Sequence, residues 1–137
     1  MNNNKIRVLL VDKNDTIRDI LRGFIHHIYK DDNSINLELV EADNVHKAVE
    51  YSFINSFHLI LMDIIMPFMN EFEMLKHIQD SSKNTVFMVI SDSHGKQYIN
   101  NEFKNGIIEH IPKPLDLNQL VTRLDHYFDS LKNKVLI

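Results

Sequence analysis

Four polar residues stand where apolar runs of this chain stop. Asp12 follows Ile6–Val11 (IRVLLV), Asp63 follows His58–Met62 (HLILM), Ser91 follows Val86–Ile90 (VFMVI), and Lys113 lies between two prolines just after Ile107–Ile111. Two carboxylates, a hydroxyl and an ammonium gathered at one point would suit phosphoryl capture. A carboxylate attacks phosphorus, a divalent cation held by carboxylates neutralises the oxygens, and the ammonium and hydroxyl bind what remains. Taken singly, each residue has a plainer reading: an acid after a strand is commonly a helix N-cap, and a lysine between prolines is a turn lysine. The chemistry depends on a fold that brings them together.

The apolar runs are the pattern of strands buried on both faces of a parallel sheet. Between them, helical periodicity alternates with strand signals. Ile17, Ile20, Leu21, Phe24, Ile25 and Ile28 recur at three- and four-residue steps after Asn14, which puts them on one helical face. Ile35, Leu37 and Leu39 alternate with polar residues as a less buried strand, and Val45, Ala48 and Val49 mark a short helix capped near Asp43 or Asn44. Phe72, Leu75 and Ile78 predict a third helix, and Ile99 and Phe103 a weaker fourth ending at Gly106. Asp116 with Gln119 opens the last helix as a capping box, with Leu117, Leu120, Val121, Leu124, Phe128 and Leu131 as its core face. Five strands alternating with five helices predict an α/β fold, a five-stranded parallel sheet that is doubly wound, (βα)5. With the flavodoxin-like strand order 2-1-3-4-5, the site lies at the carboxyl ends of the strands, Asp12 faces Asp63, and Ser91 and Lys113 stand on the flank.

Composition narrows the function. A length of 137 residues predicts one domain, so output would come from its own surface. Fifteen Lys and Arg against nineteen Asp and Glu, a net charge of −4, argue against direct nucleic-acid binding. The absence of cysteine excludes disulfides, thiolate metal sites and a cysteine nucleophile. No signal peptide is visible, and the most apolar stretch, Leu59–Met69, is broken by Asp63 and Pro67 and is shorter than the ~20 residues of a membrane span. The expectation is a soluble, cytoplasmic protein with no membrane partner. Eight histidines invite a metal reading, but none lies four residues from another, so solvated surface histidines are the better reading.

VDKNDTIR at 11–18, MDIIMPFMNEFEML at 62–75, VIS at 89–91 and PKP at 112–114 together resemble the receiver domain of two-component response regulators, specifically the single-domain, chemotaxis-regulator-like form. The resemblance spans residues 5–131, with residues 1–4 as an N-terminal tail and 132–137 as a C-terminal tail. It implies that Asp63 is the phosphoacceptor, that Asp12, Asp63 and the backbone carbonyl of Ile65 hold Mg2+, and that Ser91 and Lys113 bind the phosphoryl group. It also implies that His110 occupies the aromatic switch position and that Pro114 follows a cis peptide bond, which aims Lys113 inward. The implied partners are a sensor histidine kinase or phosphotransfer protein upstream and a protein target downstream. The domain would signal and not act as an enzyme.

Three positions depart from the family pattern. Lys13 stands where a second acid usually binds the metal, Asn70-Glu71 replaces the usual Asp-Gly, and His110 replaces Tyr or Phe. Magnesium often manages with one or two carboxylates and waters, so Asp12 and Asp63 could hold it weakly, helped by Asp15. Alternatively Lys13 takes the cation's place and pairs with both acids. The first case is a phosphorylated response regulator; the second is a phosphorylation-independent pseudo-receiver acting as an interaction module. A flavin carrier of the same fold class would need a phosphate-cradling loop after strand one, and DKND offers none. Tyr98 and Phe103 are candidates for a partner-binding face formed by the fourth helix, fifth strand and fifth helix.

Overall fold

A computed structural model describes residues 5–63, 84–92 and 108–135. The strands are β1 (Lys5–Val11), β2 (Asn36–Ala42), β3 (Leu59–Asp63), β4 (Val86–Ser91) and β5 (Ile108–Pro112). The described helices are α1 (Asp15–Tyr29), α2 (Val45–Ile54) and α3 (Leu117–Val135). All five strands are parallel, in the order β2-β1-β3-β4-β5. The predicted helices around Phe72–Ile78 and Ile99–Phe103, together with Ile65, Asn70-Glu71, Tyr98 and Gly106, lie outside the described residues.

The apolar runs form central strands because both faces of the sheet are covered. Leu9, Val11, Ile60, Met62, Phe87 and Val89 face α2, where Val45 and Ala48 complete one core. The alternate residues Val8, Leu10, Leu59, Leu61, Met88 and Ile90 face α1 and α3. Alternation of period two thus feeds two separate cores from the same runs. Leu9, Leu59 and Ile60 are fully buried, and truncating such a side chain to Ala costs about 2–5 kcal/mol.

Local signals set the helix starts. Asn14 caps α1 by accepting a hydrogen bond from the Ile17 amide at 3.1 Å, and Asn44 caps α2 by accepting one from Lys47 at 2.8 Å. Asp116 accepts from the Asn118 amide at 2.9 Å before α3. Each side-chain oxygen satisfies an amide that has no partner within the helix.

The face of α1 is narrower than its periodicity predicts. Leu21, Ile25 and Tyr29 are buried, whereas Ile17, Ile20 and Ile28 are exposed. The sheet accepts one line of side chains four residues apart, and Tyr29 extends it by donating to Asp125 Oδ1 on α3 at 2.6 Å and packing edge-on against Phe128. The helix α3 also continues four residues beyond Leu131, to Val135. Lys132 there faces Asp129 at 3.9 Å, three residues back on the same helix.

His58 locks the end of the sheet opposite the cluster. Its Nδ1 accepts from the Arg7 amide at 3.1 Å, its own amide donates to the Arg7 carbonyl at 2.9 Å, and its carbonyl accepts from Val86 and from the Tyr127 hydroxyl. Burial, reinforced by the Arg7 charge, lowers the imidazole's pKa. His58 is therefore structural and not the solvated surface residue expected. Among the described residues, no helix is long and apolar enough to cross a membrane.

Candidate functional site at the carboxyl ends of the strands

Strand register assembles the site. Val11 of β1 pairs with Met62 of β3, so the next residues, Asp12 and Asp63, leave adjacent strands at one level. Asp63 pairs with Ile90, which puts Ser91 one step on, and Ser91 pairs with Pro112, which puts Lys113 one step further. The Lys113 amide donates to the Ser91 carbonyl at 3.0 Å, tying the last two positions together. The Lys113–Pro114 peptide bond is cis.

Asp12 is 5% exposed. Its Oδ1 accepts from the Asn14 amide at 2.8 Å, while Oδ2 is buried with no hydrogen-bond partner among the described residues. Burial raises its pKa above the usual carboxylate value, and the neighbouring Asp63 charge adds to the rise. The Asn14 hydrogen bond, Lys113 and Arg18 oppose it. Lys113 Nζ lies 2.6 Å from Asp63 Oδ1. Charge and proximity hold this ion pair, and Oδ1 has no hydrogen-bond partner among the described residues.

Ser91 is fully buried. Its Oγ lies 2.7 Å from His110 Nε2 and 3.3 Å from the Asp92 carbonyl, and the same His110 nitrogen is 3.1 Å from the Ser91 carbonyl. His110 is therefore another specifically engaged histidine. Lys13 is exposed, and Lys113 and Arg18 are cations that lower the Asp12 pKa. Asp15 is likewise exposed and turned to Arg18, 2.6 Å away.

Arg18 and Glu41 were not singled out from the sequence. The Arg18 guanidinium donates to the Asp12 carbonyl at 2.5 Å, to Glu41 at 3.0 Å and to Asp15, and Arg22 also faces Glu41 at 3.4 Å. This fork fastens the start of α1 to the end of β2 and fixes the backbone that presents Asp12. The only sequence signal was Asp15 three residues before Arg18.

The response regulator receiver domain family matches residues 8–125. The chain belongs to that family. Among curated proteins, the receiver is 30% identical over 122 residues to the autoinducer 1 sensor kinase/phosphatase LuxN of Vibrio harveyi, covering 88% of this chain and 13% of that protein. It is 26% identical to the transcriptional regulatory protein YesN of Bacillus subtilis, covering 93% of this chain and 34% of that one. It is 25% identical to CrdR of Helicobacter pylori, covering 90% and 55%. The receiver thus spans between about an eighth and just over half of these relatives' lengths. Among solved structures, a two-component transcriptional regulator from Clostridium phytofermentans superposes with a TM-score of 0.76 at 21% identity, covering 96% of this chain and 99% of that one. The chemotaxis protein CheY4 of Vibrio cholerae gives 0.68 at 21%, covering 90% and 99%. These likenesses establish the receiver fold.

Receivers typically bind Mg2+ in their acidic pocket. Among the described residues of this one, no three His, Asp or Glu side chains gather at one point, and the carboxylates at the pocket are Asp12 and Asp63. The unpartnered, buried Asp12 Oδ2 fits a hard cation that seeks oxygen ligands.

Proposed function

We propose that this receiver accepts a phosphoryl group on Asp63 from the phosphohistidine of a sensor kinase or phosphotransfer protein and signals through its altered surface to a protein target. An Asp63 carboxylate oxygen forms the P–O bond, the P–N bond breaks, and the donor histidine leaves with the bonding electron pair. Asp12, Asp63 and the Ile65 carbonyl would hold Mg2+, which neutralises phosphoryl oxygens when bound; Ser91 and Lys113 would bind the oxygens that remain. The domain would occupy residues 5–131, act in the cytoplasm and serve as a phosphoacceptor signalling domain and not an enzyme, any self-phosphorylation or dephosphorylation being intrinsic to the receiver.

The observation that carries this reading is the unsatisfied acidic pair: a carboxylate oxygen buried without a donor beside a second carboxylate held by Lys113. Structural ion pairs in a finished core rarely leave such an atom. The names of relatives, a sensor kinase/phosphatase and transcriptional regulatory proteins, support the same signalling role.

The test is acetyl phosphate labelling followed by intact mass, with and without magnesium. A magnesium-dependent mass increase in the wild type that disappears in Asp63→Asn, with circular dichroism unchanged, is the expected result. Equal labelling of the Asn variant overturns the phosphoacceptor assignment. No labelling of the wild type at any magnesium concentration favours the pseudo-receiver.

A further inference from the structure

Helix α1 carries an apolar face that the sheet does not use, with a glycine near its middle. We infer that this face pairs with the same face of a second copy of the chain, antiparallel, with Ile20 of each copy seated over Gly23 of the other. This pairing is independent of the acceptor role of Asp63.

Leu21, Ile25 and Tyr29 commit one side of α1 to the core. On the adjoining side Ile17, Ile20 and Ile28 are 37%, 56% and 41% exposed, and Thr16, Gly23 and His27 are exposed as well. Thr16, Ile20, Gly23 and His27 recur at steps of four, three and four, the spacing of a seam between two helices, with Ile17 and the half-buried Phe24 beside it. Glycine in a helix interior is less stable than any residue but proline. The domain's own packing does not require it at 23, where a methyl group would meet nothing within 4 Å among the described residues. A second helix would use the gap, because a missing side chain lets two backbones approach closely and leaves a hole for a knob.

The seam selects a copy of itself. It carries both a knob, Ile20, and a hole, Gly23, so it is self-complementary under a two-fold axis. In an antiparallel pair, setting Ile20 level with Gly23 also sets Thr16 level with His27. In a parallel pair, glycine meets glycine and isoleucine meets isoleucine, which leaves a void in one layer and crowding in the next. Charge agrees with the antiparallel choice. Asp15 and Asp19 lie in the first half of α1, while His26, His27 and Lys30 lie at its end. Outside the helix the signs invert at both ends, with Lys13 before it and Asp31 and Asp32 after it. Reversal therefore brings acids of one copy to bases of the other along the whole contact, whereas a parallel pair sets like charge against like. Asp15 and Asp19 also face Arg18 and Arg22 within their own helix, so these flanking charges fix orientation more than they add affinity. The helix dipoles oppose each other only in the antiparallel pair.

A helix of 15 residues is about 22 Å long. The contact is smaller than a standard interface, so the pair is weak, with a Kd on the order of tens to hundreds of micromolar. Sedimentation equilibrium of the full chain, from about 10 μM to about 1 mM, should show monomer and dimer exchanging. Gly23→Gln fills the hole with a better helix former. Its dimer affinity should fall at least about tenfold while the Tm of the dilute protein rises by about 2 °C, opposite signs that a glycine needed by the monomer would not give. Ile20→Lys should be monomeric throughout. The chain has no cysteine, so disulfide trapping in a glutathione buffer reads the orientation: a mixture of Thr16→Cys and His27→Cys proteins should form the cross-linked heterodimer, and neither alone should cross-link to a comparable extent. A wild type that stays monomeric across the range, a dimer unchanged by both Gly23→Gln and Ile20→Lys, or Thr16→Cys trapping itself more than the mixture traps overturns the inference. Circular dichroism checks each fold, and Ile20→Ser replaces the Lys variant should that one unfold. Labelling of Asp63 is read separately, and its failure leaves this pairing standing.

Discussion

Replacing Lys113 by Met removes a charge while keeping a stem of similar length, which isolates the electrostatic part of the Asp63 pair. At 2.6 Å, the attraction of unit charges is about 6 kcal/mol at an effective dielectric of about 20. That figure is an upper limit, because both groups give up hydration to form the pair. The Lys113 side chain is 32% exposed and that of Asp63 is 14% exposed, a situation between exposed pairs worth under about 1 kcal/mol and fully buried ones that cost about 3–5 kcal/mol to break. A loss of about 2 kcal/mol in the metal-free protein follows, or roughly 6 to 10 °C in Tm for a domain of this size. Asp12 and Asp63 would then face each other without their shared ammonium, so magnesium should bind the variant more tightly than the wild type. Magnesium at about 100 times its Kd adds roughly 2.7 kcal/mol, enough to offset the loss. The assay is thermal unfolding of both proteins across a magnesium titration with a chelator-treated zero point. A Lys113→Met protein with unchanged metal-free Tm, or with the same magnesium response as wild type, refutes the reasoning.

Lys13→Asp adds an acid at an exposed position beside Asp12; calorimetry should show magnesium binding several-fold tighter, and an unchanged affinity refutes this. His58 has its pKa lowered from 6.5 by burial and by Arg7, so the unfolded chain takes up its proton first as pH falls. Its contribution to stability is therefore complete above about 6.5 and declines as pH drops toward the folded-state value; denaturant melts at stepped pH should show this slope, and His58→Asn, which keeps an acceptor for the Arg7 amide, should flatten it. Tyr29→Phe removes the hydroxyl that donates to Asp125 at 2.6 Å while keeping the ring on Phe128. Urea unfolding should show a loss of about 1 kcal/mol with an unchanged m-value.

The strands, their order of appearance and the polar residues that end them follow from the sequence alone, because a continuous apolar run such as Val8–Val11 or Leu59–Met62 can be satisfied only by burial on both faces. Asn44 was legible, with Asp43, as a candidate cap for an equally local reason, since it bonds an amide three residues on, and Asn14 marked the start of the helical periodicity that it caps in the same way. Tertiary structure alone decided which lines of those elements are used. Half of the apolar stripe on α1 stays exposed because the sheet and α3 accept only Leu21, Ile25 and Tyr29. The site divides in the same way. Its residues were readable as strand ends, but the charges that act on Asp12 include those of Asp63 and Lys113, far along the chain, and of Arg18, which is anchored to Glu41 twenty-three residues away. Lys13, the nearest cation in sequence, is exposed. The hydrogen bond between His110 and Ser91 spans nineteen residues and exists only because β4 and β5 pair in the register that sets Val89 beside His110. Sequence specifies which groups are present and which ends of the strands carry them. Coulomb interactions and hydrogen bonds depend on distance through space, and for this acidic pocket those distances come from strand order and register.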